Sequence, residues 1–147
     1  MKQLTPHFSL EELCASDTAA RRGIDNAPPA DVEANLLRLA EVLEAIRALG
    51  AKPIIVTSGY RSPSLNAAVG GTANSAHLTG LAADINRSGS TPYDFGMDII
   101  NAKIPFDQLI HEYGRWVHIG LAPVGRPPRG QLLSIRHGTG YLPGWRR

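Results

Sequence analysis

The clearest pattern in the chain is a run of apolar positions at helical spacing. From Asp31, the residues Val32, Leu36, Leu39, Ala40, Leu43 and Ile46 recur every three or four positions, which predicts an amphipathic helix. Gly50 is expected to end it as the C′ residue. Ahead of it, Ser9 followed by Glu12 reads as a capping box opening a short helix that carries Leu10 and Leu13. Residues 18–29, with Arg21, Arg22, Gly23, Pro28 and Pro29, are read as irregular. Beyond the long helix the period changes. Pro53 to Thr57 is a short β-branched run expected to form a buried strand. Pro63 suits the first turn of a short helix over Leu65 to Val69, closed by Gly70 and Gly71. Residues 72–80 are a loop of small residues.

Leu81 to Asn86 alternates, with Leu81, Ala83 and Ile85 on one face and Ala82, Asp84 and Asn86 on the other. Residues 92–102 fit a further helix. Phe106 to Tyr113 and Trp116 to Leu121 read as an antiparallel hairpin turning at Gly114-Arg115. A Pro/Gly-rich loop and a last strand at Leu132 to Ile135 follow. Helices come first and strands later, so the expected class is α+β: N-terminal helices packed on a small, mainly antiparallel sheet.

A chain of 147 residues fits one domain, residues 1–147, with residues 122–147 as a basic extension. Lys plus Arg number 15 against 13 Asp plus Glu, too small an excess to argue for nucleic acid. The excess gathers at the end of the chain in Arg126, Arg129, Arg136, Arg146 and Arg147, either as a solvated tail or as a contact for an anionic polymer. A single cysteine, Cys14, excludes an intramolecular disulfide and sits in an apolar helical pattern as a small buried residue. No apolar run is long enough to span a membrane. The first residues lack the apolar core of a signal peptide, so a cytoplasmic, monomeric protein is expected.

The chemistry gathers in Ser75-x-His77-x-x-Gly80-x-Ala82-x-Asp84, with Val117-His118-Ile119 further on. Two imidazoles and a carboxylate suit zinc, whose catalytic sites take three protein ligands and keep one position open. Gly80 lets the chain turn back between His77 and Asp84. Pairing of the Asp84 strand with the His118 strand would bring both ligands onto one sheet face. A lone strand histidine is more often a core or surface residue than a ligand. A carboxylate in an otherwise apolar strand is harder to accommodate without a partner or metal.

Four segments occur in order: Ser58-Gly59-Tyr60-Arg61-Ser62-Pro63, Leu65 to Gly71, Asn74 to Ile85, and Trp116-Val117-His118-Ile119. Together they resemble the zinc D-Ala-D-Ala carboxypeptidase family with its phage endolysin members, within the lysostaphin-like and hedgehog-like zinc peptidases. The opening Phe8 to Leu13 and Asp17 to Asp25 are similar to the start of phage and prophage members. The resemblance spans residues 7–121. It implies a Zn2+ cofactor on His77, Asp84 and His118. It implies for Arg61 a role in binding substrate or stabilising the transition state, where a structural ion pair is the alternative. Ser75 matches a serine near the ligand loop, as a substrate contact or a brace. Trp116 and Tyr60 could line the cleft. The implied substrate is bacterial cell-wall peptidoglycan, cut either at the terminal D-Ala or between L-Ala and D-Glu. Neither nucleic acid nor membrane insertion is implied. The implied setting is a phage lysis enzyme that reaches the wall through another protein's pore.

The general base breaks the pattern. Related enzymes often carry an acid three residues before the last ligand, or a histidine two before it. Here those positions hold Arg115 and Trp116. Glu112, Asp107 and His111 are the alternatives. With a two-residue turn, His111 and Asp107 face His118 and Glu112 points away; one extra residue swaps the faces. The resemblance favours Glu112, because similar phage sequences carry an acid there. A non-catalytic zinc domain, or a structural virion component, is the rival reading.

Overall fold

A computed structural model describes residues 2–147. In chain order the elements are β1 (Gln3–Thr5), β2 (Phe8–Ser9), α1 (Leu10–Cys14), α2 (Asp17–Arg22), α3 (Ala30–Ala48), β3 (Ile54–Ser58), α4 (Pro63–Ala68), a 3-10 turn (Ala76–Thr79), β4 (Ala82–Arg87), α5 (Pro92–Asn101), β5 (Gln108–Glu112), β6 (Trp116–Gly120), β7 (Gln131–Arg136) and β8 (Gly140–Pro143). β1 and β2 form a small hairpin. The other six strands form one sheet in the order β3-β4-β6-β5-β7-β8. All its pairs are antiparallel except β5–β7. The α+β class expected from the sequence holds.

The periodic positions of α3 are its core face: Val32, Leu36, Leu39, Ala40, Leu43 and Ile46 are all buried. They join Ala83 and Ile85 of β4, Phe95 and Ile99 of α5, Leu109 of β5, and Val117 and Ile119 of β6 in one apolar cluster. One face of the sheet is thus sealed by helices. Each such buried aliphatic or aromatic side chain contributes about 1.5–3 kcal/mol relative to exposure. The apolar odd positions of β4, β5 and β6 are committed to this cluster. Their even positions, Asp84, Ile110, Glu112, Trp116 and His118, therefore occupy the opposite face.

Four expectations are corrected. Residues 17–22 form the helix α2, capped by the Ser16 hydroxyl on Ala19 N–H at 3.1 Å and ended by Gly23 at φ 65°. Only Ala19 of that helix is buried, so it carries no apolar period to read. Gly50 is not the left-handed cap of α3. Ala51 adopts the positive φ of 50°, while Gly50 lies under the Arg87 guanidinium, where a Cβ would stand 3.3 Å from Nη1. β3 is an edge strand rather than a buried one, and Ile55 is 51% exposed. Finally, β8 extends the sheet beyond the last strand the sequence pattern showed.

Candidate metal centre and catalytic cleft

Each side chain of the site is placed by a local device. His77 sits in the 3-10 turn, whose first turn is capped by Ser75 Oγ on His77 N–H at 3.2 Å. Gly80 ends the turn at φ 74°. Leu36 and Val32 lie 3.0 Å from where a Cβ would be, so both conformation and space require glycine there. The chain then enters β4, where Asp84 pairs with His118 of β6 across the ladder. A bulge between Val56 and Ser58 sets Ser58 opposite Asp84 and turns the chain toward the Ser58–Ser62 segment.

Ligand atoms of His77, Asp84 and His118 lie within 4.8 Å of one another. His118 Nδ1 is 3.0 Å from Asp84 Oδ1, and His77 Nε2 is 3.5 Å from the same oxygen. The two imidazoles meet edge to face with centroids 5.1 Å apart. His77 Nδ1 donates to the Gly59 carbonyl at 2.7 Å. A carbonyl only accepts, so this bond fixes the tautomer and leaves the Nε2 lone pair facing the other two residues. Burial pushes the Asp84 carboxyl up, but the hydrogen bond from His118 and the nearness of the His77 imidazole outweigh it and hold the group well below the usual carboxylate range. A carboxylate favoured in its ionised form and an imidazole with a fixed lone pair fit a divalent, borderline-soft ion such as zinc.

The β5–β6 connection decides which acid stands beside this set. Glu112 pairs with Trp116, so three residues, Tyr113, Gly114 and Arg115, form the loop. Tyr113 and Gly114 both take positive φ, 56° and 65°. The two-residue turn expected from Gly114-Arg115 is therefore replaced by the longer alternative. Ile110, not His111, opposes His118, and Glu112 shares the His118 face. His111 goes to the helical side. There it is buried, its ring stacks on Trp145 at 5.2 Å, and its Nδ1 donates to the Arg146 carbonyl at 2.7 Å.

Trp116 Nε1 donates to Glu112 Oε2 at 2.8 Å. Burial raises the Glu112 carboxyl above its ordinary value, helped by the nearby Asp84 charge. Asp107 is held differently. Arg129 grips both its oxygens, at 3.0 and 2.8 Å, and keeps it below the usual range.

Arg61 follows β3 on the other flank. Its Nη2 donates to Ser75 Oγ at 3.1 Å, while its Nε is buried with no partner among the described residues. Burial lowers its affinity for the proton, opposed by the charges of Asp84 and Glu112. Ser75 thus braces both the guanidinium and the His77 turn. Tyr60 is core rather than cleft, at 4% exposure. Asn26 escaped the sequence reading. Its Nδ2 donates to the Cys14 and Tyr60 carbonyls, and its Oδ1 accepts from Ser62 N–H at 2.7 Å. It clamps the turn that presents Arg61, but a single polar residue in an aperiodic stretch gives no signal of that role.

The peptidase M15 family model matches residues 6–120. The chain belongs to the peptidase M15 family. A zinc D-Ala-D-Ala carboxypeptidase of Streptomyces albus G is 40% identical over 82 residues, which are 54% of this chain and 31% of that protein. The chain therefore matches about a third of the length of this curated relative. In this peptidase M15 member, Arg61, His77, Asp84, Glu112, Trp116 and His118 line one open cleft of about 640 Å³.

Proposed function

We propose that the chain is a zinc-dependent peptidase that hydrolyses D-amino-acid-containing stem peptides of peptidoglycan. The convergence of His77, Asp84 and His118, with Glu112 on the same sheet face, carries the reading. His77 would offer Nε2, His118 Nδ1 and Asp84 a carboxylate oxygen. Zinc held there supplies Lewis acidity, which makes hydroxide available near neutral pH.

The protein's own groups do the rest. Glu112 takes the proton of the attacking water on the carboxylate oxygen that Trp116 leaves free, and returns it to the leaving amine as the peptide bond breaks. Burial raises the Glu112 carboxyl, which favours its taking up that proton. Arg61 binds the substrate carboxylate or the developing oxyanion through paired donors, oriented by Ser75. Asp107 is already neutralised by Arg129 and is the weaker candidate for the base. The non-catalytic alternative drew on Arg115 and Trp116 standing where a base was expected. It weakens because the neighbouring strand supplies a carboxylate beside His118.

The finer reading, a phage or prophage endolysin that waits in the host cytoplasm, rests on the likeness of Phe8 to Leu13 and Asp17 to Asp25 to phage members. The test is digestion of purified peptidoglycan with zinc-loaded protein and identification of fragments by mass spectrometry. Released D-Ala or a new D-Glu amino terminus supports the reading and tells the two bonds apart. No new peptide terminus contradicts it.

A further inference from the structure

The catalytic face of the sheet does not stop where the family region stops. Residues 6–120 match the family, and the last two strands follow them. β7 pairs with β5 and places Ile135 beside Glu112; β8 pairs with β7 and places Tyr141 beside Ile135. One row across four strands thus reads Trp116, Glu112, Ile135, Tyr141 on a single face. The next row reads His118, Ile110, Leu133, Pro143. Beyond Glu112 and His118 the two rows continue as a largely apolar shelf of Ile110, Leu133, Ile135, Pro143 and Tyr141, of which Ile110 and Tyr141 line the cleft.

Tyr141 lines the same cleft as Arg61 and Asp84. It is 59% exposed, and no hydrogen bond holds its hydroxyl among the described residues. An exposed tyrosine with an unpartnered hydroxyl does little for the fold. Strand order separates it from Arg61: Arg61 follows the edge strand β3, and Tyr141 lies on the opposite edge strand β8. A substrate crossing the metal centre from the Arg61 side leaves it over the shelf.

We propose that β7 and β8 are part of the substrate cleft, with the Tyr141 ring a specificity-determining contact for the part of the stem peptide that lies beyond Glu112, away from Arg61. The inference rests on the peptidase reading. An aromatic ring on a strand gives a rigid apolar wall at small entropic cost, suited to the side chains and backbone of an extended peptide.

Steady-state kinetics on two substrates test it: a full stem pentapeptide, and an acylated dipeptide too short to reach β8. Tyr141→Ala raises KM for the long substrate about tenfold and leaves the short one within about twofold. Tyr141→Phe keeps the ring and stays within about twofold on both. An unchanged long-substrate KM in Tyr141→Ala overturns the proposal. So does an equal loss on both substrates, or a Tyr141→Phe protein that behaves like Tyr141→Ala. Calorimetric titration of the stem pentapeptide into zinc-loaded Glu112→Gln protein, with and without Tyr141→Ala, reads the contact without turnover. A tenfold weaker affinity supports the shelf; equal affinity, or no binding by either protein, overturns it. Wild-type protein that binds the peptide but cleaves nothing defeats the peptidase reading alone.

Discussion

Glu112 and Trp116 face each other across the β5–β6 ladder, and the indole N–H of Trp116 donates to Glu112 Oε2 at 2.8 Å. In the proposed mechanism this pair stands in for the acid expected three residues before His118. Trp116 stands two residues ahead of His118, on the same face. It cannot accept a proton, but it orients a carboxylate that can. The three-residue loop that closes the hairpin makes the pairing possible, since a two-residue turn would have sent Glu112 to the helical side.

Removing the indole donor should move the pH profile. A hydrogen bond to the ionised carboxylate favours that form, so its loss in Trp116→Phe raises the Glu112 pKa further. At a given pH more of the base is then protonated, and the acid limb of the kcat/KM profile shifts to higher pH, by up to about one unit. A limb that stays in place, or moves to lower pH, argues against Glu112 as the titrating group.

The three proposed ligands should act as a set. His77→Ala, Asp84→Ala and His118→Ala should each lose zinc on dialysis, whereas the parent protein retains one equivalent by atomic absorption. A chelator should lower the Tm of the parent and leave the variants unmoved. Metal present at about a thousand times its Kd stabilises the fold by roughly 4 kcal/mol. Retention of stoichiometric zinc by His77→Ala would count against the assigned site.

Gly96 sets a limit on the far side of the sheet. A Cβ there would lie 1.9 Å from Cζ2 of Trp145, whose indole donates to the Tyr93 carbonyl at 3.1 Å. Alanine favours the α5 helix by about 1 kcal/mol. Displacing Trp145 also exposes the His111 stack, and overpacking of this kind costs about 1–3 kcal/mol or more. Gly96→Ala should therefore be less stable in urea, with tryptophan fluorescence shifted to the red. A variant more stable than the parent would mean that the tail does not pack as described.

Long periodic elements were legible from sequence because burial writes their period directly. All six core positions of α3 and the alternation of Ala83 and Ile85 against Asp84 are examples. Of His77, Asp84 and His118, only Asp84 was marked by its chemistry, as a carboxylate costly to bury without a partner; the set of three was legible through the resemblance of the surrounding motifs to the zinc carboxypeptidases. Hairpin parity was not, because Tyr113 carries its positive φ with no glycine to signal it. Short capped elements such as α2, and β8 with its exposed residues, carry no buried period at all. The clamp by Asn26 depends on contacts 12, 34 and 36 residues away, which no local pattern encodes.

The most direct measurement is the peptidase activity of Glu112→Gln with its zinc content determined in the same sample. The substitution keeps the side chain's shape and removes the proton acceptor. Release of new termini from peptidoglycan should fall by about 10²- to 10⁴-fold while one equivalent of zinc is retained. Wild-type rates from the zinc-loaded Glu112→Gln protein would contradict the account.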